Sequence, residues 1–130
     1  MTGQLRMPLR HLIASLALLC ASALSVLADS ELLMIEQQGC HYCARWNQEV
    51  AHKYPQTAEG RAAPLRRLDI HDPLPADLSF EDGFHFTPTF VLMVDGTEVS
   101  RLEGYPGEDF FWGLLARMMT EARVLPAAGG

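Results

Sequence analysis

The stretch Leu32-Leu33-Met34-Ile35-Glu36-Gln37-Gln38-Gly39-Cys40-His41-Tyr42-Cys43-Ala44-Arg45-Trp46 decides the fold. Its opening residues form a continuous apolar run, short enough for a strand buried on both faces. Gln37-Gln38-Gly39 closes that run, and Gly39 opens a helix. Trp46, Val50 and Tyr54 then recur one helical turn apart and form a buried stripe, with Arg45, Gln48 and Glu49 outside it. Pro55 ends the helix, because proline lacks the N–H that the next turn needs. A cysteine pair therefore stands where a buried strand gives way to a helix.

Working outward, residues 56–64 are small and polar and read as loop. Leu65-Arg66-Arg67-Leu68-Asp69-Ile70 reads as a second strand, stopped by Asp72-Pro73 and Pro75. Residues 76–87 read as a loop with one helical turn. Thr87-Pro88 leads into a third strand, Thr89-Phe90-Val91-Leu92-Met93-Val94, and Asp95-Gly96 is a strong hairpin signal, so residues 97–102 return antiparallel. Gly104-Tyr105-Pro106-Gly107 breaks the chain. Glu108-Asp109 then place negative charge at the positive start of a final helix. In it Phe110, Leu114, Met118 and Ala122 form one apolar row, with Phe111, Leu115 and Met119 beside it, all expected in the core. A strand–helix–strand unit needs a parallel crossover, and the hairpin adds antiparallel strands. The fold class is α/β, with a central mixed sheet of about four strands and flanking helices.

Residues 1–28 are set apart from this domain. Arg6, Arg10 and His11 precede the uncharged run Leu12 to Ala28, and polar Asp29-Ser30 follow it. Basic, then apolar, then small is the layout of a secretory signal peptide, with cleavage expected after Ala28 and a second candidate site at Ala21-Ser22-Ala23. The rival reading is an uncleaved membrane anchor, for which the run sits at the low edge of the roughly 17–25 residues needed to span. Residues 29–130 are the folded domain. Without Arg6 and Arg10, eight basic side chains face 16 acids, a net charge of −8. No basic patch is left for phosphate, so nucleic acid is not an expected partner.

Cys40-His41-Tyr42-Cys43 carries the chemistry. Unpaired N–H groups and the dipole at a helix start favour an anion, here the Cys40 thiolate, which is the attacking species in disulfide exchange. Cys43 lies one turn on, able to close a disulfide, and a protonated His41 would favour the thiolate further. Three other uses of the motif compete. A structural zinc site needs four ligands, and only scattered histidines could complete it. Haem attachment needs His directly after the second Cys, where Ala44 stands. A staple across so short a loop falls far below the ~15-residue loops worth about 3 kcal/mol. Redox exchange is the reading carried forward.

With the dithiol at a strand-to-helix junction and Thr87-Pro88 before the third strand, the chain resembles the thioredoxin superfamily in a minimal form. The resemblance covers roughly Leu32 to Leu125. It implies a cis Pro88 packed against the dithiol and a Thr87 backbone that pairs with the partner chain beside Cys40. Gly104 resembles the family glycine before the last helix. The family's extra N-terminal strand and helix are missing, and its second helix is reduced to residues 76–87. Met34 stands where thioredoxin has a buried Asp. Glu36 is the nearest carboxylate, and Arg67 sits where thioredoxin has a basic residue near the dithiol.

The segments Gly39 to Trp46, Leu68-Asp69-Ile70-His71-Asp72-Pro73, Thr87-Pro88-Thr89-Phe90-Val91 and Glu103-Gly104-Tyr105-Pro106-Gly107-Glu108 look like the periplasmic thioredoxins of bacterial sulfur-oxidation (Sox) clusters. That likeness implies a periplasmic, monomeric thiol–disulfide oxidoreductase without a cofactor. It would act as a reductant of a protein disulfide or a sulfur-carrier cysteine, recharged by a membrane thiol electron transporter. Cys40 and Cys43 would be catalytic, with His41, Tyr42, Thr87 and Pro88 tuning the site or binding substrate. The alternative function is a copper or zinc carrier using Cys40, Cys43 and a His without turnover.

Overall fold

The computed structural model describes residues 28–126. Most of the expected export segment, residues 1–27, lies outside the described residues, as do residues 127–130. The elements run β1 (Ser30–Glu36), α1 (His41–Trp46), α2 (Ala58–Ala62), β2 (Leu65–Asp69), β3 (Thr89–Val94), β4 (Thr97–Glu103) and α3 (Glu108–Glu121). The four strands form one sheet in the order β2-β1-β3-β4, with β1–β2 parallel and the other pairs antiparallel. This is the expected mixed sheet. Asp95 and Gly96 both take positive φ, 51° and 76°, which closes the tight β3–β4 hairpin.

Strands β1 and β3 are central, so both of their faces are buried. On one face Leu32, Met34, Phe90 and Leu92 pack against Trp46, Val50, Tyr54, Phe111, Leu115 and Met119 from the helices. Trp46, Phe90 and Phe111 meet at centroid distances of 4.9 to 5.8 Å, pairs worth about 0.5–1.5 kcal/mol each beyond their burial. On the other face Leu33, Ile35, Val91 and Met93 are covered by Leu68, Ile70, Leu78, Phe80 and Phe84. Leu68 belongs to β2 itself and the other four come from irregular chain, so the described helices all belong to one side of the sheet. A mean-hydrophobic run with no alternation is the natural sequence of such two-faced strands.

Four local expectations are corrected. Residues 76–87 contain no helix; they form one hydrogen-bonded turn, bends and a bridge from Ser79 to Thr97, where the Ser79 N–H donates to the Gly96 carbonyl and the Ser79 carbonyl accepts the Glu98 N–H. Residues 56–64, expected to be loop, contain α2, because the Thr57 hydroxyl caps the Gly60 N–H at 3.0 Å. The helix after the dithiol loosens into a π-helical turn at Asn47–Ala51, yet Trp46, Val50 and Tyr54 stay buried as expected. In α3 the buried stripe is Phe111, Leu115, Met118 and Met119, whereas Phe110 is 71% exposed. Two adjacent apolar rows could each have faced inward. The sheet accepts the one carrying Phe111, together with Met118 from the other.

Strand β4 contains a register shift that leaves Val99 without a partner and exposed. The shift resets the alternation, so Glu98 and Arg101, three apart, point to the same face. Glu98 is buried and accepts from Arg101 at 2.6 Å and 2.8 Å and from the Glu81 N–H at 3.0 Å. Arg101 also donates to the carbonyls of Asp82 and Gly83 and lies over the Phe84 ring. This cluster ties the irregular segment to the sheet just upstream of Thr87.

Candidate active site

The site forms at the C-terminal end of β1, where Gly39 turns at φ 78° into α1. Cys40 is the N-cap of that helix, and its Sγ accepts the Cys43 N–H at 3.1 Å. The sulfur thus occupies the place of an oxygen cap and faces a backbone amide that no helical carbonyl can satisfy. Cys40 and Cys43 are joined by a disulfide. They differ in access: Cys40 is half-buried, whereas Cys43 is 4% exposed. An incoming reactant meets Cys40 first, as the order of the motif predicts.

His41 and Tyr42 are exposed beside the pair and meet edge-to-face at 5.4 Å. The Thr87–Pro88 peptide bond is cis, as the resemblance implied. Pro88 is buried, and its carbonyl accepts the Gly104 N–H at 2.7 Å, so the expected family glycine holds the proline segment from β4. Among the described residues no hydrogen bond engages the Thr87 N–H or carbonyl. An apolar groove beside Thr87 is lined by Tyr42, Phe86, Glu103 and Gly104, and a second recess of about 400 Å³ is lined by Glu36, Gln37, Gly39, Cys40, His41 and Cys43.

Around the second recess, Arg67 spans Glu36 at 2.8 Å and Asn47 at 2.8 Å, approaches the Met34 sulfur at 3.5 Å and lies over the Trp46 ring. Glu36 and Arg67 are therefore paired with each other at the edge of the site. His52 and His85 are exposed, in keeping with a surface status. His71 is exposed but engages the Gln37 carboxamide at 3.2 Å. Gln37 was legible from the sequence only as the end of a strand. Beyond the dithiol, the hydroxyl of Tyr105 donates to Glu49; burial and that carboxylate raise the Tyr105 pKa, while the same hydrogen bond lowers that of Glu49. Among the described residues no three His, Cys, Asp or Glu side chains are grouped to hold a metal ion.

Chemically, the arrangement offers an accessible sulfur solvated by an amide, a second sulfur in bonding distance, and an unpaired strand edge beside them. No family model matches the chain. The solved structure of the periplasmic thioredoxin SoxS from Paracoccus pantotrophus, in its reduced form, is 59% identical, with a TM-score of 0.70, over 72% of this chain and 98% of its own. The chain belongs to the thioredoxin superfamily. A curated disulfide bond formation protein from Brevibacillus choshinensis is 30% identical to this thioredoxin-like chain over 79 residues, 58% of the chain. The match spans 62% of the length of that relative. This thioredoxin-like chain is a thiol–disulfide oxidoreductase.

Proposed function

We propose that the chain is a periplasmic reductase of protein disulfides or of a sulfur-carrier cysteine, working through Cys40 and Cys43. The observation that carries this reading is the asymmetry of the pair: Cys40 is reachable and capped by an amide, and Cys43 is buried directly behind it. In the reduced protein the Cys40 thiolate attacks one sulfur of a substrate disulfide. A Cys40–substrate disulfide forms, and the other substrate sulfur leaves as a thiolate that takes up a proton. Cys43 then gives up its proton and attacks Cys40 Sγ. The internal disulfide forms, and the remaining substrate sulfur leaves as thiol. Two electrons pass from the dithiol to the substrate, and a membrane thiol electron transporter returns them.

His41 and Tyr42 flank the attacking sulfur, and the free Thr87 backbone edge beside Pro88 receives an extended substrate segment. Export by residues 1–28 as a cleaved signal peptide, with residues 29–130 as a monomeric domain, completes the reading. The name of the Paracoccus relative, a periplasmic thioredoxin, supports the compartment. None of the described helices is long and apolar enough to cross a membrane. The test is reduction of insulin with dithiothreitol as electron source. The chain should accelerate it, and Cys40→Ser should not; a wild-type protein without effect would defeat the proposal.

A further inference from the structure

The Gln37 side chain connects two parts of the site that are fifty residues apart. Its Nε2 donates to Thr87 Oγ1 at 2.8 Å, and its Oε1 meets His71 Nε2 at 3.2 Å. The β1–β3 register explains the first contact. Ile35 pairs with Thr89, and continuing that antiparallel register two residues outward sets Gln37 opposite Thr87. Gln37 also lines the recess that contains Cys40 and Cys43, while Thr87 lines the groove with Tyr42 and Phe86. The carboxamide therefore bridges the loop that carries the dithiol and the segment that ends in Pro88.

The bridge has a direction. Gln37 Oε1 can only accept, so the facing nitrogen of His71 carries the proton. Gln37 Nε2 can only donate, so Thr87 Oγ1 is its acceptor. With that lone pair engaged, the Thr87 hydroxyl hydrogen is left to donate elsewhere, and Thr87 borders the open groove. The backbone N–H and carbonyl of the same residue are also unengaged. We propose that Gln37 is a positioning residue of the exchange reaction, which fixes Thr87 and aims its hydroxyl hydrogen and free backbone edge at a disulfide-bearing polypeptide substrate. This rests on the reductase reading above, and it adds how that enzyme distinguishes a polypeptide disulfide from a small one.

Two disulfides separate the possibilities: insulin, which has chain to lay along Thr87, and dithionitrobenzoate, which has none. Gln37→Met keeps the length and removes both hydrogen bonds. Gln37→Glu keeps a link to Thr87 but accepts from it, turning the hydroxyl hydrogen away from the groove. Both variants should raise KM for insulin about fivefold, the scale of one lost neutral hydrogen bond, with kcat within about twofold. Their rates with dithionitrobenzoate should fall less than their efficiency with insulin. Thr87→Val should raise the insulin KM similarly, and combining it with Gln37→Met should add nothing further. A plain structural tether would tolerate the Glu variant. Wild-type KM in either Gln37 variant, a parallel fall with dithionitrobenzoate, or full additivity with Thr87→Val would overturn the proposal. If the wild-type protein reduced neither disulfide, the reductase reading itself would fall.

Discussion

The backbone N–H of Cys43 donates to the Sγ of Cys40 across 3.1 Å, so the residue proposed to resolve the reaction also solvates the sulfur proposed to begin it. Both come from one turn of α1, with Cys40 as its cap. The amide would otherwise be an orphan of the helix start. An anionic sulfur satisfies it better than a neutral one, since hydrogen bonds to ionised acceptors are roughly twice as strong.

Reduced protein should therefore show one cysteine ionising below the ~8.5 of a free thiol. Ultraviolet absorbance of the thiolate, followed against pH, measures this. The low value should persist in Cys43→Ser, which keeps the amide, and vanish in Cys40→Ser. An ordinary thiol pKa in Cys43→Ser would contradict the capping argument.

Access predicts a second asymmetry. Cys43 is 4% exposed and cannot be the first point of attack. Cys43→Ser should accumulate a mixed disulfide with insulin through Cys40, detected as a mass adduct that dithiothreitol removes. Cys40→Ser should form none under the same conditions. Equal trapping by the two variants would show that the buried sulfur reacts directly.

The Glu98–Arg101 pair predicts how stability depends on pH. Burial alone would raise the Glu98 pKa, but hydrogen bonds from Arg101 and the Glu81 N–H outweigh it and hold the carboxyl below its ordinary value. A group depressed in the folded state stabilises above the unfolded pKa of about 4.3. That contribution disappears as pH falls through the lower folded value. Glu98→Gln should thus be less stable than the parent at neutral pH, with the gap narrowing below about pH 4. Arg101→Met leaves a buried carboxylate unpaired and should cost roughly 3 kcal/mol. Urea midpoints across pH test both. A constant gap at all pH values would remove the ionic account.

Gly60 reverses a common expectation. Alanine in a helix is usually favoured over glycine by about 1 kcal/mol. Here a Cβ on Gly60 would run into the Tyr54 carbonyl, which is backbone and has no free rotation to escape. Gly60→Ala should lower stability by about 1–3 kcal/mol, the usual cost of overpacking. Thermal melting decides it, and a rise in midpoint would refute the contact.

Much of this was legible before any coordinates. Leu32 to Ile35 and Phe90 to Met93 are apolar without alternation, which only a strand buried on both faces tolerates. Asp95-Gly96 announced its hairpin because few other residues take positive φ in succession. Cys40-His41-Tyr42-Cys43 announced its chemistry because the spacing and the helix start lie within one local segment. Residues 76–87 were not legible as cover for a sheet face. Leu78, Phe80 and Phe84 carry no period, since an irregular segment has none to display. Phe110 and Phe111 offered two equivalent rows, and only the position of the sheet chose between them.

By itself, then, the sequence determined the strands, the hairpin and the place of the dithiol, because each depends on neighbours a few residues away. The tertiary structure alone decided that Gln37 meets Thr87, that Glu98 and Arg101 share a face, and that Gly60 has no room for a side chain. Those relationships depend on register between distant segments, and register is set by how whole strands bury their faces, which no local pattern encodes.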